Sequence, residues 1–145
     1  MGTNAIFGAT PGNFKETIQL GYNTFSEDTI ANATGTDVVL EVGAIMARSA
    51  TGALIAFDET STSNAGIIVG FNTDSRTVPA TGNAIVKIVT GGKIDADVVK
   101  FGSGVDWDTQ VTLEDSAPGT VLVRTIKELV EMRGFEIEFG KVLDA

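Results

Sequence analysis

The 145-residue chain contains no cysteine and no histidine. Without thiols it has no disulfide framework, no thiolate metal site and no cysteine nucleophile. Without imidazole it lacks the commonest general base and the commonest metal ligand, which excludes Ser-His-Asp catalysis and ordinary zinc centres within the chain. Basic residues are scarce: 10 Lys and Arg stand against 19 Asp and Glu, a formal net charge of -9. Nucleic acid requires a basic face to neutralise its phosphates, so no nucleic-acid partner is expected, and an acidic surface is repelled by anionic lipid as well. No apolar run approaches the ~20 residues of a membrane span, so no membrane partner is expected either. The opening residues, MGTNAIFGATPGNF, lack the basic and apolar regions of a signal peptide. Met1-Gly2 is no myristoylation signal, because Ile6 stands where Ser or Thr is needed.

What remains is a chain of one-domain length with 43% hydrophobic residues, enough for a modest core. Between residues 38 and 101, short β-branched runs alternate with clusters of Gly, Ser, Thr, Asn and Asp, the pattern of short strands joined by turns. Strands are predicted at Val38 to Val42, Ala44 to Arg48, Ala53 to Phe57, Ile67 to Phe71 and Ala84 to Val89. Thr90-Gly91-Gly92 reads as a turn, and residues 93–101 as an antiparallel return with Asp95 and Asp97 on the wet face. Residues 58–66 and 72–83 read as polar loops, and 102–119 as irregular. A helix is predicted over residues 121–133, with Leu122, Ile126, Leu129 and Val130 on one face and Gly134 ending it. The alternation of Phe135 to Phe139 predicts a last strand. The fold class is therefore β-rich α+β: a small antiparallel β-barrel or sandwich-like domain with one C-terminal helix, over residues 36–145. Residues 1–35 are too polar and Gly-rich to bury themselves and are read as an extended N-terminal arm. Within the arm, Ile18, Leu20 and Tyr22 alternate with Thr17 and Gln19 as in a strand.

Chemistry-bearing groupings are weak. Asp106 and Asp108 could act as an acid–base pair only if their environments differed, and they read more simply as solvated loop carboxylates. Asp106, Asp108, Glu114 and Asp115 lack the order and central glycine of a calcium loop. Gly102-Ser103-Gly104 is a fragment of a dinucleotide-binding pattern without its third glycine or its helix. Asn32-Ala33-Thr34 matches a glycosylation sequon and reads as a chance loop match. No catalytic residue, cofactor site or metal site is assigned, and an enzyme is not expected. Trp107 reads equally as a lid on the core or as an interface anchor.

Four segments, in order, resemble the lambda-type bacteriophage head decoration protein family. They are Leu40-Glu41-Val42-Gly43-Ala44-Ile45-Met46, Gly52-Ala53-Leu54-Ile55-Ala56-Phe57-Asp58, Ala65-Gly66-Ile67-Ile68-Val69-Gly70 and Val89-Thr90-Gly91-Gly92-Lys93-Ile94. Val130-Glu131-Met132-Arg133-Gly134-Phe135 is similar to the family's helix end. The resemblance implies a structural protein of the virion. It implies homotrimers at the local threefold axes on the outer surface of the expanded capsid head, where they stabilise the shell. It implies an N-terminal arm that adds to strands of the major capsid protein, for which Phe14, Thr17, Ile18, Gln19, Leu20 and Tyr22 are the candidate contacts. Trp107, Phe71 and Pro79, with the loops at 58–66 and 72–83, are candidates for the trimer interface. The alternative reading is a carbohydrate-binding or adhesin-like β module on a virion surface, which calls for exposed aromatics.

Overall fold

The computed structural model describes residues 17–49, 51–59, 67–114 and 121–140. Among these described residues, ten strands and one helix follow in order. They are β1 (Thr24–Ala31), β2 (Val38–Leu40), β3 (Ile45–Arg48), β4 (Leu54–Ala56), β5 (Ile67–Asn72), β6 (Arg76–Val78), β7 (Asn83–Asp95), β8 (Gln110–Glu114), β9 (Val121–Thr125), α1 (Ile126–Met132) and β10 (Phe135–Glu138). Five strands close a barrel in the order β1-β4-β3-β5-β7, and β1 returns to β7. The fold is the expected small β-barrel with one short C-terminal helix. Most ladders are antiparallel, but β1 meets β4 and β10 meets β7 in parallel. Two-stranded ribbons β2–β6 and β8–β9 complete the sheet structure.

The barrel sheet has a core on each face. Ile30, Leu54, Met46, Val69, Val86 and Ile88 form one cluster and come from all five barrel strands, so they fill the interior. Leu40 of β2 and Val78 of β6 join them, which places that ribbon over the interior core. The second cluster takes Ile45, Phe71 and Val89 from three of the same strands and adds Ile18, Val111, Ile126, Val130 and Phe135. It lies on the outer face, covered by α1, β8 and β10. Adjacent residues such as Ile45 and Met46, or Ile88 and Val89, feed opposite cores because side chains alternate along a strand. Phe71 and Phe135 meet edge to face there, with ring centroids 5.1 Å apart. Gly70 permits the close approach of β5 to β7: a Cβ on it would lie 2.0 Å from the Val89 carbonyl oxygen.

Several expectations are corrected. The boundary at residue 35 moves to before Thr17, since β1 is a barrel strand and Ile18 is fully buried. Ile18 and Leu20 do form a strand edge, but its partner is the chain itself. The Leu20 N–H donates to the Lys93 carbonyl at 3.0 Å, and the Asp95 N–H to the Ile18 carbonyl at 2.9 Å. Thr90-Gly91-Gly92 is no turn, because β7 runs through it to Asp95. The turn falls after Asp95, which is buried rather than wet and accepts the Asp97 N–H at 3.0 Å. The 72–83 loop contains β6, paired with β2. The irregular stretch contains β8, and the first part of the predicted helix is its partner β9.

The helix register fails at its start for a physical reason. Val121, Val123 and Thr125 are β-branched and favour a strand over a helix. Thr125 then caps α1: its hydroxyl accepts the Glu128 N–H at 3.1 Å while Glu128 accepts the Thr125 N–H at 2.9 Å, a reciprocal capping box. The next two helical N–H groups donate outward, Ile126 to the Thr109 carbonyl and Lys127 to the Trp107 carbonyl, both at 3.0 Å. These bonds seat the helix on the 106–109 turn.

Two tests follow from this seating. Ile126→Ala should lower the unfolding free energy by ~2–5 kcal/mol as a buried large-to-small change, and Thr125→Ala by ~0.5–2 kcal/mol as a lost cap. Urea unfolding midpoints measure both. The Thr125 N–H, its hydroxyl and the charge of Arg124 hold the Glu128 carboxyl below its ordinary value of 4.5. A carboxyl depressed in the folded state stabilises fully above its unfolded value, and the gain is lost as pH falls through the folded value. The stability advantage of the native chain over Glu128→Gln should therefore be constant near neutrality and shrink below about pH 4.5.

Candidate partner-binding surface

Among the described residues, no group of three or more acids could hold a metal ion. Asp106 is spent on its own turn, accepting the Asp108 N–H at 2.9 Å and the Thr109 hydroxyl at 3.3 Å. Asp115 lies outside the described residues. The sequon asparagine is a structural clasp. Asn32 is buried, its amide donates to the Thr36 and Val78 carbonyls, and its oxygen accepts the N–H and hydroxyl of Thr34. Folded, it offers no amide to a glycosyl donor. Gly102-Ser103-Gly104 is a turn, closed by the Val105 N–H on the Gly102 carbonyl at 3.1 Å.

The three candidate interface residues separate. Phe71 is fully buried in the outer core, so it forms no interface in the folded domain. Pro79 is exposed after β6. Trp107 is half-buried on the outer core between Phe101, with centroids 5.1 Å apart, and Phe139, at 6.0 Å. Both contacts are edge to face, with interplanar angles of 82° and 72°. Of the loop at 58–66, residues 60–66 lie outside the described residues.

The candidate arm residues also separate. Phe14 lies outside the described residues. Ile18 is core, which removes it as a partner contact in the folded domain, and Gln19 and Leu20 are half-buried against β7. Thr17 is exposed, and Tyr22 is fully exposed.

Tyr22 sits at the break between the 18–20 segment and β1. Its φ of 50° is left-handed, a region that side chains rarely adopt. The neighbouring Asn23 fixes this turn with three hydrogen bonds. Its oxygen accepts the Gly21 N–H at 2.7 Å, and its amide donates to the Gly91 carbonyl at 3.0 Å and the Lys93 carbonyl at 2.8 Å. Gly92, at φ +97°, leaves room for it: a Cβ there would lie 2.8 Å from both the Asn23 amide nitrogen and the Tyr22 carbonyl oxygen. The sequence shows Gly91-Gly92 plainly, but a double glycine signals a reverse turn as readily as close approach by another strand. Asn23 gives no pattern that marks it as a clasp.

Beside the turn lies an open groove of about 440 Å³, lined by Leu20, Gly21, Tyr22, Gly92, Lys93, Gly134 and Glu136. Lys93 faces Glu138 across 3.9 Å. A smaller cleft of about 120 Å³ opens between Phe57, Glu59, Lys100, Phe101 and Ile126. Elsewhere, Ile85 and Phe25 are exposed on β7 and β1, and the Lys87 ammonium lies 4.6 Å from the Phe25 ring centroid. No protein-family model and no curated protein matches the chain.

If Asn23 clasps this turn, Asn23→Ala should cost about 1–3 kcal/mol, the scale of buried carbonyl partners left unsatisfied. Chemical unfolding measures it. A change within experimental scatter would show that the turn holds without the clasp.

Proposed function

We propose that the chain is a phage head decoration protein. In this reading it binds the outside of an expanded icosahedral capsid as trimers at local threefold axes and stabilises the shell. The observation that carries the reading is where the resembling segments fall. Leu40 to Met46, Gly52 to Asp58, Ala65 to Gly70 and Val89 to Ile94 supply residues of β3, β4, β5 and β7. Those are four of the five barrel strands, so the resemblance follows the framework of the domain rather than scattered loops.

The anchoring segment in this proposal is shorter than residues 1–35. Residues 18–31 belong to the domain: Ile18 and Ile30 are buried in its two cores and β1 closes the barrel. Residues 1–16 are the part left to add to strands of the major capsid protein, with Phe14 among them. An added strand gains affinity from its backbone and specificity from alternate side chains. A ligand that binds only the assembled shell raises the shell's resistance to heat by mass action.

Two truncations test this. Removing residues 1–16 should leave a folded domain with nearly unchanged melting but much weaker co-sedimentation with expanded, undecorated capsids. Removing residues 1–34 should abolish folding, because it takes Ile18 and the strand that closes the barrel. Full-strength binding by the shorter truncation would move the capsid contact onto the barrel. Absence of binding by the intact chain would remove the capsid reading altogether.

A further inference from the structure

We propose that the Tyr22 turn and the groove beside it form a preformed docking site for an extended protein segment carrying an arginine or lysine. The inference deepens the capsid reading and rests on it only for the partner's identity.

The first observation is conformational. Tyr22 holds a left-handed φ of 50° with its ring in solvent, where it gains nothing from the domain. Left-handed backbone is unfavourable for a residue with a Cβ and persists only when its surroundings enforce it. The three hydrogen bonds of Asn23 and the missing Cβ of Gly92 provide that enforcement. The domain thus uses the Asn23 hydrogen bonds, one exposed and two part-buried, to hold the backbone that carries this ring into solvent. Tyrosine offers large contact area at the cost of fixing only two side-chain torsions on binding.

The second observation is the groove. Its bare stretches are Gly21 and Gly134, where a Cβ would meet nothing within 4 Å. Peptide backbone lies open there, so an extended chain can approach it closely. Leu20 adds apolar surface, and Tyr22 lies at the groove's edge with its ring in solvent.

The third observation is charge. Lys93 faces Glu138, while Glu136 is exposed on the groove and forms no ion pair among the described residues. The chain as a whole carries -9. A cationic side chain is the complement: it can pair with Glu136 and lie on the face of the Tyr22 ring. Position agrees as well. Tyr22 is five residues past Thr17, within about 17 Å of chain, so a partner gripped by residues 1–16 passes near the groove.

The experiment compares the full chain with Tyr22→Gly and Glu136→Lys. Glycine relieves the left-handed backbone, so Tyr22→Gly should melt at the native temperature or above it. In the first arm, each protein is applied to immobilised random short peptides. The native chain should enrich basic extended sequences, and both variants should bind these about tenfold more weakly or worse. Tyr22 is the sole tyrosine, so nitration by tetranitromethane reads this site alone, and bound peptide should block it. In the second arm, the same proteins are co-sedimented with expanded, undecorated capsids, where both variants should again be weaker.

No enrichment of basic peptides, equal peptide binding by Tyr22→Gly, or a clear fall in its melting temperature would overturn the inference. Capsid binding undiminished in Tyr22→Gly would overturn the capsid protein as the groove's partner, while leaving the capsid reading intact. Tyr22-dependent peptide capture with no capsid binding by any of the proteins would support the groove and remove the capsid reading.

Discussion

The structure depends on the unbroken course of β7. Its 13 residues span roughly 43 Å when extended, and they serve two cores in turn. Val86 and Ile88 face the barrel interior, while Val89 and Ile94 face the outer core. Along its first part it pairs with β1 and β5; along its last residues it holds β10 on one side and the 18–20 segment on the other. The register against β1 shifts between Thr24 and Phe25, where β1 meets Gly91 and then Val89. That irregularity and the left-handed Gly92 fall where β7 passes from its barrel pairing with β1 to its outer pairing with β10. With a side chain at residue 92, the chain before β1 could not lie where it does, and Ile18 would lose its place in the core.

The barrel closes less firmly at the β1–β4 seam. Only one bridge, Ile30 to Leu54, joins those strands, and the Asp28–Arg48 ion pair lies beside it. The Asn32 N–H donates to the Gly82 carbonyl beyond β7, which sets the alternation of the ladder. The N–H groups of odd-numbered β1 residues then point to the seam. One of these, on Thr29, is taken by the Asp28 carboxylate at 2.7 Å. That bond first, and the Arg48 side chain second, hold the Asp28 carboxyl below its ordinary value. Both partners are about a third exposed, so the pair is a screened surface contact rather than a strong fastener. Its role is to occupy an edge: charges and capped N–H groups keep an open strand from recruiting another.

Much of this was legible in the chain. Short β-branched runs marked β3, β4, β5 and β10 because each is bounded by turn residues or a helix end. The lost elements failed for identifiable reasons. β6, β8 and β9 lie in short ribbons whose apolar content is split between core and water, so none shows clean alternation; Val123 is exposed while Val78 and Val111 are buried. The apparent helical face of residues 121–133 arose because Leu122 happened to precede Ile126 by four positions, although Thr125 divides a strand from a helix. Phe71 stands in the sequence as an interface candidate. A core on both faces of the sheet was not visible, and only that second core buries it. The site residues Asn23, Gly92 and Glu136 belong to segments about 70 residues or more apart from the first, brought together by pairing that no local pattern encodes.

The N-terminal boundary shows what alternation can and cannot say. Ile18, Leu20 and Tyr22 share a face in an ideal strand, and that pattern alone would give all three the same fate. It does not say whether the partner strand lies in another protein or in the same one. Here β7 is the partner through Leu20, and Ile18 is sealed in the outer core. Then Gly21 at φ 129° and Tyr22 at φ 50° break the pleat before β1 resumes. The break reverses the fate of the third residue, so that Tyr22 stands in water while Ile18 is wholly excluded from it. The backbone at Gly21 and Tyr22, rather than the sequence pattern around it, divides what this segment gives to the fold from what it leaves exposed.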